Sequence, residues 1–465
     1  MTDLPPRSST SSPSVHRAVR RSLEGAGERP SSTHAATAKE ASRRGFLRGC
    51  SALAAGASAL PMLGSVPAVH AQGSEAINVA LIGCGGRGTG AAINAMRADP
   101  NNRLTVLADL FPDQIARARQ TLSRQLGQQY RVTDDTCFTG FEAYQRVMES
   151  DVQVVLLCTT PHFRPRHLKA AIDAGKHVFC EKPVAVDAPG VRSVLQTSEE
   201  AQKKGLAIVS GLCWRYDLGV RETVQRIRDG AIGDIVAIQE NYLTGTLWHR
   251  GRKPEWSEME YQIRNWLYFT WLSGDHNVEQ HIHSLDKALW LMGDEPPAAA
   301  VGLGGRQVRI EPEYGNIYDH HAVVYEWPQG VRVFSFTRQM AGCWPQTEDI
   351  VLGTKGQAQL IKHEISAGGQ VWRYRGDKPS MYDVEHQELF RSIKEGKPIN
   401  NGRYMAYSTL LAIMGRMATY TGKRVTWEEA MNSQLDLTPK RYEWGPVELP
   451  EEVQQVAMPG KTRFV

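Results

Sequence analysis

From Ile77 onward the chain alternates short, predominantly apolar runs with longer stretches in which apolar residues recur every three or four positions. Ile77 to Ile82, Leu104 to Ala108, Val154 to Cys158, His177 to Cys180 and Leu206 to Ser210 have the length and composition of strands buried on both faces. Between them Thr89 to Arg97, Arg166 to Ala174 and Val191 to Lys204 read as helices, and Gly175 closes the second of these. This alternation predicts an α/β fold: an N-terminal doubly wound parallel sheet of Rossmann type, with its ligand crevice at the carboxyl ends of the strands.

Beyond about Trp214 the pattern changes. A helix is expected over Gly219 to Asp229. The stretches Ile235 to Leu243, Ala322 to Glu326, Val331 to Arg338, Glu348 to Leu352 and Val371 to Tyr374 then show short or alternating strand patterns between Gly and Pro. Strands that follow one another without helices pair antiparallel, so a C-terminal α+β domain is predicted, with further helices near 278–292, 384–395 and 404–421. The expected organisation is a leader over 1–72, a nucleotide-binding domain over 73–213, a substrate-binding and oligomerisation domain over 214–431, and an irregular tail over 432–465.

The leader changes the picture of charge and compartment. Residues 1–41 are rich in Ser, Pro, Ala and Arg without apolar periodicity, as in a disordered extension. Ser42-Arg43-Arg44-Gly45-Phe46-Leu47-Arg48 then matches a twin-arginine export motif. A weakly apolar run from Ser51 to Val69 follows, with a small-residue cleavage site at Val69-His70-Ala71. The expected location is periplasmic, or otherwise exported by the twin-arginine translocase, which carries folded proteins with their cofactors inside. An enzyme so exported must hold its nucleotide tightly and either recycle it or pass its electrons on. The leader carries a net charge of +5, which leaves −1 on the remainder. Electrostatic capture of nucleic acid or anionic lipid is therefore not expected. Six cysteines follow the leader without disulfide spacing, and Cys84, Cys158, Cys180 and Cys213 fall at strand ends where a small thiol packs well.

Candidate chemistry begins at Gly83-Cys84-Gly85-Gly86-Arg87-Gly88, which follows the first strand and opens a helix. Gly83 permits the tight turn, Gly85 lets the backbone approach a pyrophosphate, and Gly88 allows close packing of helix on strand. Asp109 ends the second strand 21 positions after Gly88, where a carboxylate accepts hydrogen bonds from ribose hydroxyls and repels a 2′-phosphate. NAD is thus expected rather than NADP. Cys158-Thr159-Thr160-Pro161 and Glu181-Lys182-Pro183 also sit at strand ends, so Thr159, Thr160, Pro161 and Glu181 should border the cofactor. Lys182 should point at its nicotinamide end, where a cation stabilises an alkoxide.

Asn277 is expected to cap a helix from Val278 to Met292, on which Glu279 and His283 lie four residues apart with Asp286 a turn further on. A carboxylate and an imidazole so spaced can share a hydrogen bond and orient a base. A competing metal reading uses His276, Glu279 and His283 at spacings of three and four, with His281 and His320-His321 in reserve. It needs neither the glycine loop nor Asp109, so no metal is expected. Upstream, Trp248, Trp256, Trp266, Tyr268 and Trp271 offer aromatic faces for sugar rings, and Arg250, Arg252, Asn265, Asp275 and His276 offer hydroxyl partners.

The glycine loop, Asp109, Thr160-Pro161, Ala174-Gly175-Lys176-His177-Val178, Glu181-Lys182-Pro183 and His283-Ser284-Leu285-Asp286 together resemble the Gfo/Idh/MocA family, over residues 76 to about 425. Within that family the sequence most resembles the twin-arginine-exported members. The resemblance implies a C-terminal domain built on a large open, mostly antiparallel sheet that mediates homodimers or homotetramers. It also implies a carbohydrate or polyol substrate, with Lys182 as the family's lysine and His283 as its acid/base histidine. Glu279 stands where the family often has Asp. The expected activity is NAD-dependent transfer of hydride between a sugar carbon and a retained nucleotide. The alternatives are redox-neutral, NAD-dependent glycoside cleavage and a non-catalytic NAD-dependent sensor.

Overall fold

The computed structural model describes residues 76–463; the expected leader and its twin-arginine motif lie outside the described residues. Six parallel strands form the first sheet: β1 (Asn78–Ile82), β2 (Arg103–Asp109), β3 (Cys137–Thr139), β4 (Val154–Leu157), β5 (His177–Cys180) and β6 (Ile208–Ser210). Their order is β3-β2-β1-β4-β5-β6, so the winding reverses between β1 and β4 and opens a crevice at their carboxyl ends. Val79, Leu81, Val155 and Leu157 are fully buried, because helices cover both faces of the sheet.

The second sheet comprises β7 (Ile235–Thr244), β8 (Ala299–Gly305), β9 (His320–Glu326), β10 (Arg332–Gln339), β11 (Gln346–Gly353), β12 (Gly356–Gln359), β13 (Glu364–Ala367), β14 (Gln370–Arg373) and β15 (Val425–Thr426). Its order is β14-β13-β12-β11-β7-β10-β9-β8-β15, and every pairing is antiparallel except that of β7 with β10. Alternation is clean on β10. Val333, Ser335, Thr337 and Gln339 are buried, whereas Phe334 and Phe336 face outward, on the same side as Leu303 and Leu352. The helix Gly402–Thr421 packs between this sheet and the helix Ala188–Lys203, which is why it is apolar around almost its whole circumference. After the second sheet the chain returns to the first: Leu389 and Phe390 of the helix Met381–Lys394 join the core around β1 and β2. Among the described residues no helix is long and apolar enough to cross a membrane, and the six cysteines are all free.

One expected element is broken. In place of a continuous helix over 278–292 there are two, His276–Glu279 and Ile282–Leu291. The amides of Gln280 and His281 both return to the carbonyl of His276, at 3.0 and 3.1 Å, and this wide turn shifts the helical register. The cause is His281, which swings fully into the protein and meets the Ser335 hydroxyl of β10 through Nε2 at 2.5 Å.

Candidate active site

The glycine loop leads from β1 into the helix Gly86–Ala98. Gly83 has φ +96°, and a Cβ there would lie 2.6 Å from the backbone of Cys158; a Cβ on Gly88 would collide with the carbonyl of Gly83. These two glycines are required by packing. Around Gly85 and Gly86 the space is open, and both line a cleft of about 620 Å³. The first helical turn has neither a side-chain cap nor an acidic residue, so its free amides and the helix dipole face the cleft. A dinucleotide pyrophosphate fits this cradle.

Asp109 lines the same cleft and accepts from the amides of Cys84 (2.6 Å) and Phe111 (2.8 Å). Burial pushes its carboxyl up to about 6, against the pull of those two amides. A ribose bound here would donate its hydroxyls to the ionised carboxylate, so nucleotide binding would lower this pKa and be tightest above about 6. As pH falls through 6 the carboxylate gains a proton and that advantage is lost. Equilibrium titration with NAD between pH 8 and 5 is expected to show this weakening, and Asp109→Asn should abolish the inflection.

Lys182, at the end of β5, reaches across to the second domain, where Nζ donates to the carbonyl of Glu279 (2.6 Å) and to its Oε1 (3.1 Å). An ammonium has three donors, so one remains for a substrate oxygen. His283 lines the cleft beside this pair. Its Nδ1 is buried and has no hydrogen-bond partner among the described residues. Burial, with the charges of Lys182, Lys287 and Arg87, holds the imidazole well below its usual range, so it is neutral and able to accept a proton. The expected Glu279–His283 hydrogen bond does not form, since the break at Gln280 turns Glu279 toward Lys182. Asp286 is not an orienter either. It is buried against Arg215 (2.8 Å) and the Ser408 hydroxyl (2.8 Å), where it ties the helix Ile282–Leu291 to its neighbours.

Arg87 crosses from the glycine loop to Glu181 and to Glu385 (3.2 Å) and lies 4.7 Å from the ring of Tyr382, which also lines the cleft. Burial opposes ionisation of Glu181, but Arg87 and Arg164 prevail and hold its pKa low. Glu385, buried and beside that charge, is pushed well up. Glu385 and Tyr382 were missed from the sequence because they lie some 300 positions from the loop they meet. Arg164, Phe111 and Arg264 were missed too, although each flanks a strand end or helix end bordering the cleft.

Gly83, Gly85, Gly86, Arg87, Gly88, Asp109, Thr159, Thr160, Glu181, Lys182, Glu279, His283, Trp248, Arg250 and Trp266 are brought together around the cleft. Nine expected residues are not, among them Trp256, the buried Tyr268 and Asn265, and Arg252, which pairs with Glu258. The Cys84 thiol is buried in the sheet core and only its amide serves the site, while Pro161 is buried in a short turn of helix. Trp271 is a core side chain whose Nε1 donates to Gln262 (2.7 Å). Asp275 and His276 belong to a buried polar knot. The Asp275 carboxylate meets His276 (2.8 Å), His321 (3.2 Å), the Tyr318 amide (2.9 Å) and the Tyr420 hydroxyl (2.5 Å), all away from the cleft. Among the described residues the ligating groups that come together around His276 are Asp275 and His321, not Glu279 and His283, so the metal set considered from spacing is not the one assembled.

Residues 77–209 match the Gfo/Idh/MocA family, an oxidoreductase family with an NAD-binding Rossmann fold. A 2,7-anhydro-N-acetylneuraminate hydratase of Escherichia coli K12 is 26% identical over 47% of this chain, which spans just over half (55%) of that relative. An inositol 2-dehydrogenase of Serratia proteamaculans is 25% identical over 69% of this chain and 87% of its own length. Aldose-aldose oxidoreductase of Caulobacter crescentus has the same fold, with TM-score 0.61 and 20% identity over 76% of this chain and 100% of that one. A levoglucosan dehydrogenase in complex with NADH and levoglucosan gives TM-score 0.61 and 17% identity over 76% and 99%. The glycine cradle and the strand-end carboxylate both lie within the residues that match this NAD-binding Rossmann family.

Proposed function

We propose that this protein oxidises a hydroxyl-bearing carbon of a sugar, glycoside or polyol, or reduces the corresponding ketone, with a tightly held NAD. The observation that carries this reading is the convergence of Lys182, Glu279 and a neutral, unpartnered His283 on the cleft that also holds the glycine cradle. A nicotinamide nucleotide bound there supplies the acceptor for the hydride that leaves the substrate carbon. His283 takes the hydroxyl proton, and the free donor of Lys182 holds the oxygen as its charge develops. Glu279 fixes the ammonium in place from a position 16% exposed. Trp248 and Arg250, 4.9 Å apart, offer a sugar an apolar face and a hydroxyl partner at the mouth of the cleft. Asp109 favours NAD over NADP because its charge opposes a 2′-phosphate.

The twin-arginine motif supports export with the nucleotide already in place, and N-terminal sequencing of protein from the cell envelope tests it. The outward Phe334, Phe336, Leu303 and Leu352 on the second sheet support a homodimer or homotetramer, which light scattering tests. For the reaction, the purified chain is expected to carry about one nucleotide, and a panel of sugars should include one that reduces it, read at the absorbance of the dihydronicotinamide. Purified protein without nucleotide, or with nucleotide that no sugar or ketosugar changes, counts against the reading.

Redox-neutral cleavage is a second reading, favoured by one observation: the E. coli relative is a hydratase. Oxidation acidifies the carbon beside the new ketone, so His283 can remove that proton as the neighbouring carbon–oxygen bond breaks. Water then adds and the hydride returns. Deuterium incorporated beside the oxidised carbon without net reduction of nucleotide would select this course.

A further inference from the structure

The buried knot around Asp275 is the one place among the described residues where three groups able to ligate a metal converge. Asp275 and His276 open the short helix His276–Glu279, whereas His321 comes from β9. A carboxylate oxygen and one nitrogen of each imidazole lie within 4.8 Å of one another. Asp275 and His276 are 0% exposed and His321 2%, so water does not compete for these donors. Asp275 also holds φ at +80°, a conformation that a residue with a side chain keeps only where its surroundings fix it.

The hydrogen bonds of the knot leave one positive charge to be supplied. The Thr419 hydroxyl donates to the Arg416 carbonyl (3.0 Å), and so accepts from Nδ1 of His321 (2.9 Å). The proton of a neutral ring therefore sits on Nδ1, and the Nε2 lone pair faces Oδ1 of Asp275 at 3.2 Å. Two acceptors face each other, and either a second proton on His321 or a metal ion must lie between them. The same Oδ1 meets Nδ1 of His276 (2.8 Å), whose Nε2 is buried without a hydrogen-bond partner among the described residues. A proton satisfies His321 alone, whereas a metal takes the carboxylate and both rings together. Two imidazoles and one carboxylate suit zinc and other first-row divalent ions. The outer contacts are those of ligands held for a metal: Oδ2 of Asp275 accepts from the Tyr318 amide (2.9 Å) and the Tyr420 hydroxyl (2.5 Å), and the far N–H of His321 is taken by Thr419.

We propose that Asp275, His276 and His321 bind one divalent transition-metal ion, which fastens the start of the helix carrying Glu279 to β9. None of the three lines the cleft, so the ion is structural and takes no part in hydride transfer. The inference is independent of the nucleotide reading. Untagged full-length protein, purified without chelator, is expected to carry about one equivalent of such a metal by mass spectrometry of the elements, or to take up zinc when it is added. His321→Gln should lower the bound metal at least fivefold. Unaltered protein that neither carries a metal nor takes up zinc overturns the site, and metal content unchanged by His321→Gln overturns the ligand set. Should that variant fail to fold, X-ray absorption at the metal edge of the unaltered chain decides: imidazole and oxygen neighbours support the site, and sulfur or oxygen alone overturns it. Stripping the metal with dipicolinate should lower the melting temperature and zinc should restore it, because an ion bound only by the folded chain stabilises that chain. A melting temperature indifferent to stripping overturns the fastening role.

Discussion

Lys182→Met is expected to lower the rate at which substrate reduces the bound nucleotide by roughly 10²–10³-fold, about 3 to 4 kcal/mol of transition-state stabilisation. The charge that develops on the substrate oxygen is absent from the ground state, so an ammonium aimed at it favours the transition state selectively. Lys182 is suited to this because two of its donors are committed to Glu279 and its side chain is 13% exposed, leaving little water to screen the third. Methionine keeps most of the volume and removes the charge. Glu279→Gln is the comparison. It leaves the Glu279 carbonyl, and hence one anchor of Nζ, in place, so a far smaller loss is expected. Single-turnover reduction of pre-loaded enzyme measures both. A Lys182→Met rate within threefold of the unaltered chain, with nucleotide still loaded, would remove Lys182 from the chemistry.

His283→Asn is expected to cost roughly 10²–10⁴-fold in the same measurement, the range for loss of a general base. The fold should survive, because Lys287 is held by the backbone carbonyl of residue 283 and not by its ring. The pH profile gives a sharper result. A protonated imidazole cannot accept the hydroxyl proton, so the rate falls only as pH drops through the pKa of His283. Burial and the charges of Lys182, Lys287 and Arg87 hold that pKa well below 6.5. The single-turnover rate should therefore stay level through pH 6.5, where an ordinary histidine titrates, and fall only at lower pH. Removing one of the three cations in Lys182→Met should move the fall to higher pH. An inflection near 6.5 in the unaltered chain would mean that His283 is solvated, or is not the base.

The nucleotide-binding half was largely legible because its signals are local. β1, the turn at Gly83 and the start of the next helix adjoin in sequence, and each glycine answers to a steric demand within a few residues. The boundaries moved slightly. The helix expected from Thr89 begins at Gly86, inside the glycine loop, since glycines that would weaken a helix interior are tolerated in a first turn that faces a ligand. Five strands of the second sheet, β7, β9, β10, β11 and β14, were legible as short or alternating patterns, whereas β8, β12, β13 and β15 were not. Nor was their order, because β7 pairs in parallel with β10 across almost a hundred intervening residues.

The candidate site was legible in its residues more than in its geometry. Glu279 and His283 were read as an i,i+4 pair because their spacing is right for a helix, yet the helix is interrupted between them. What interrupts it is His281, whose partner Ser335 lies 54 residues away on β10, beyond the reach of any local pattern. Asp275 and His276 likewise carried the composition of a polar site. The Asp275 carboxylate is instead engaged by Tyr318, His321 and Tyr420, three residues remote in sequence, and His276 packs beside it away from the cleft.

The amino-acid sequence by itself determined the two sheet types, the glycine cradle, Asp109 as the carboxylate at the end of β2, and the choice of Lys182 and His283, which share one cleft. These follow from periodicity and from steric demands that act over a few residues. Only the tertiary structure decided that Glu279 serves Lys182 and not His283, that His283 is kept neutral, and that His321 of β9 joins Asp275 and His276 in one buried knot. Each of those depends on which remote groups exclude water from a side chain and which charges they bring with them, and that is a property of packing, not of spacing.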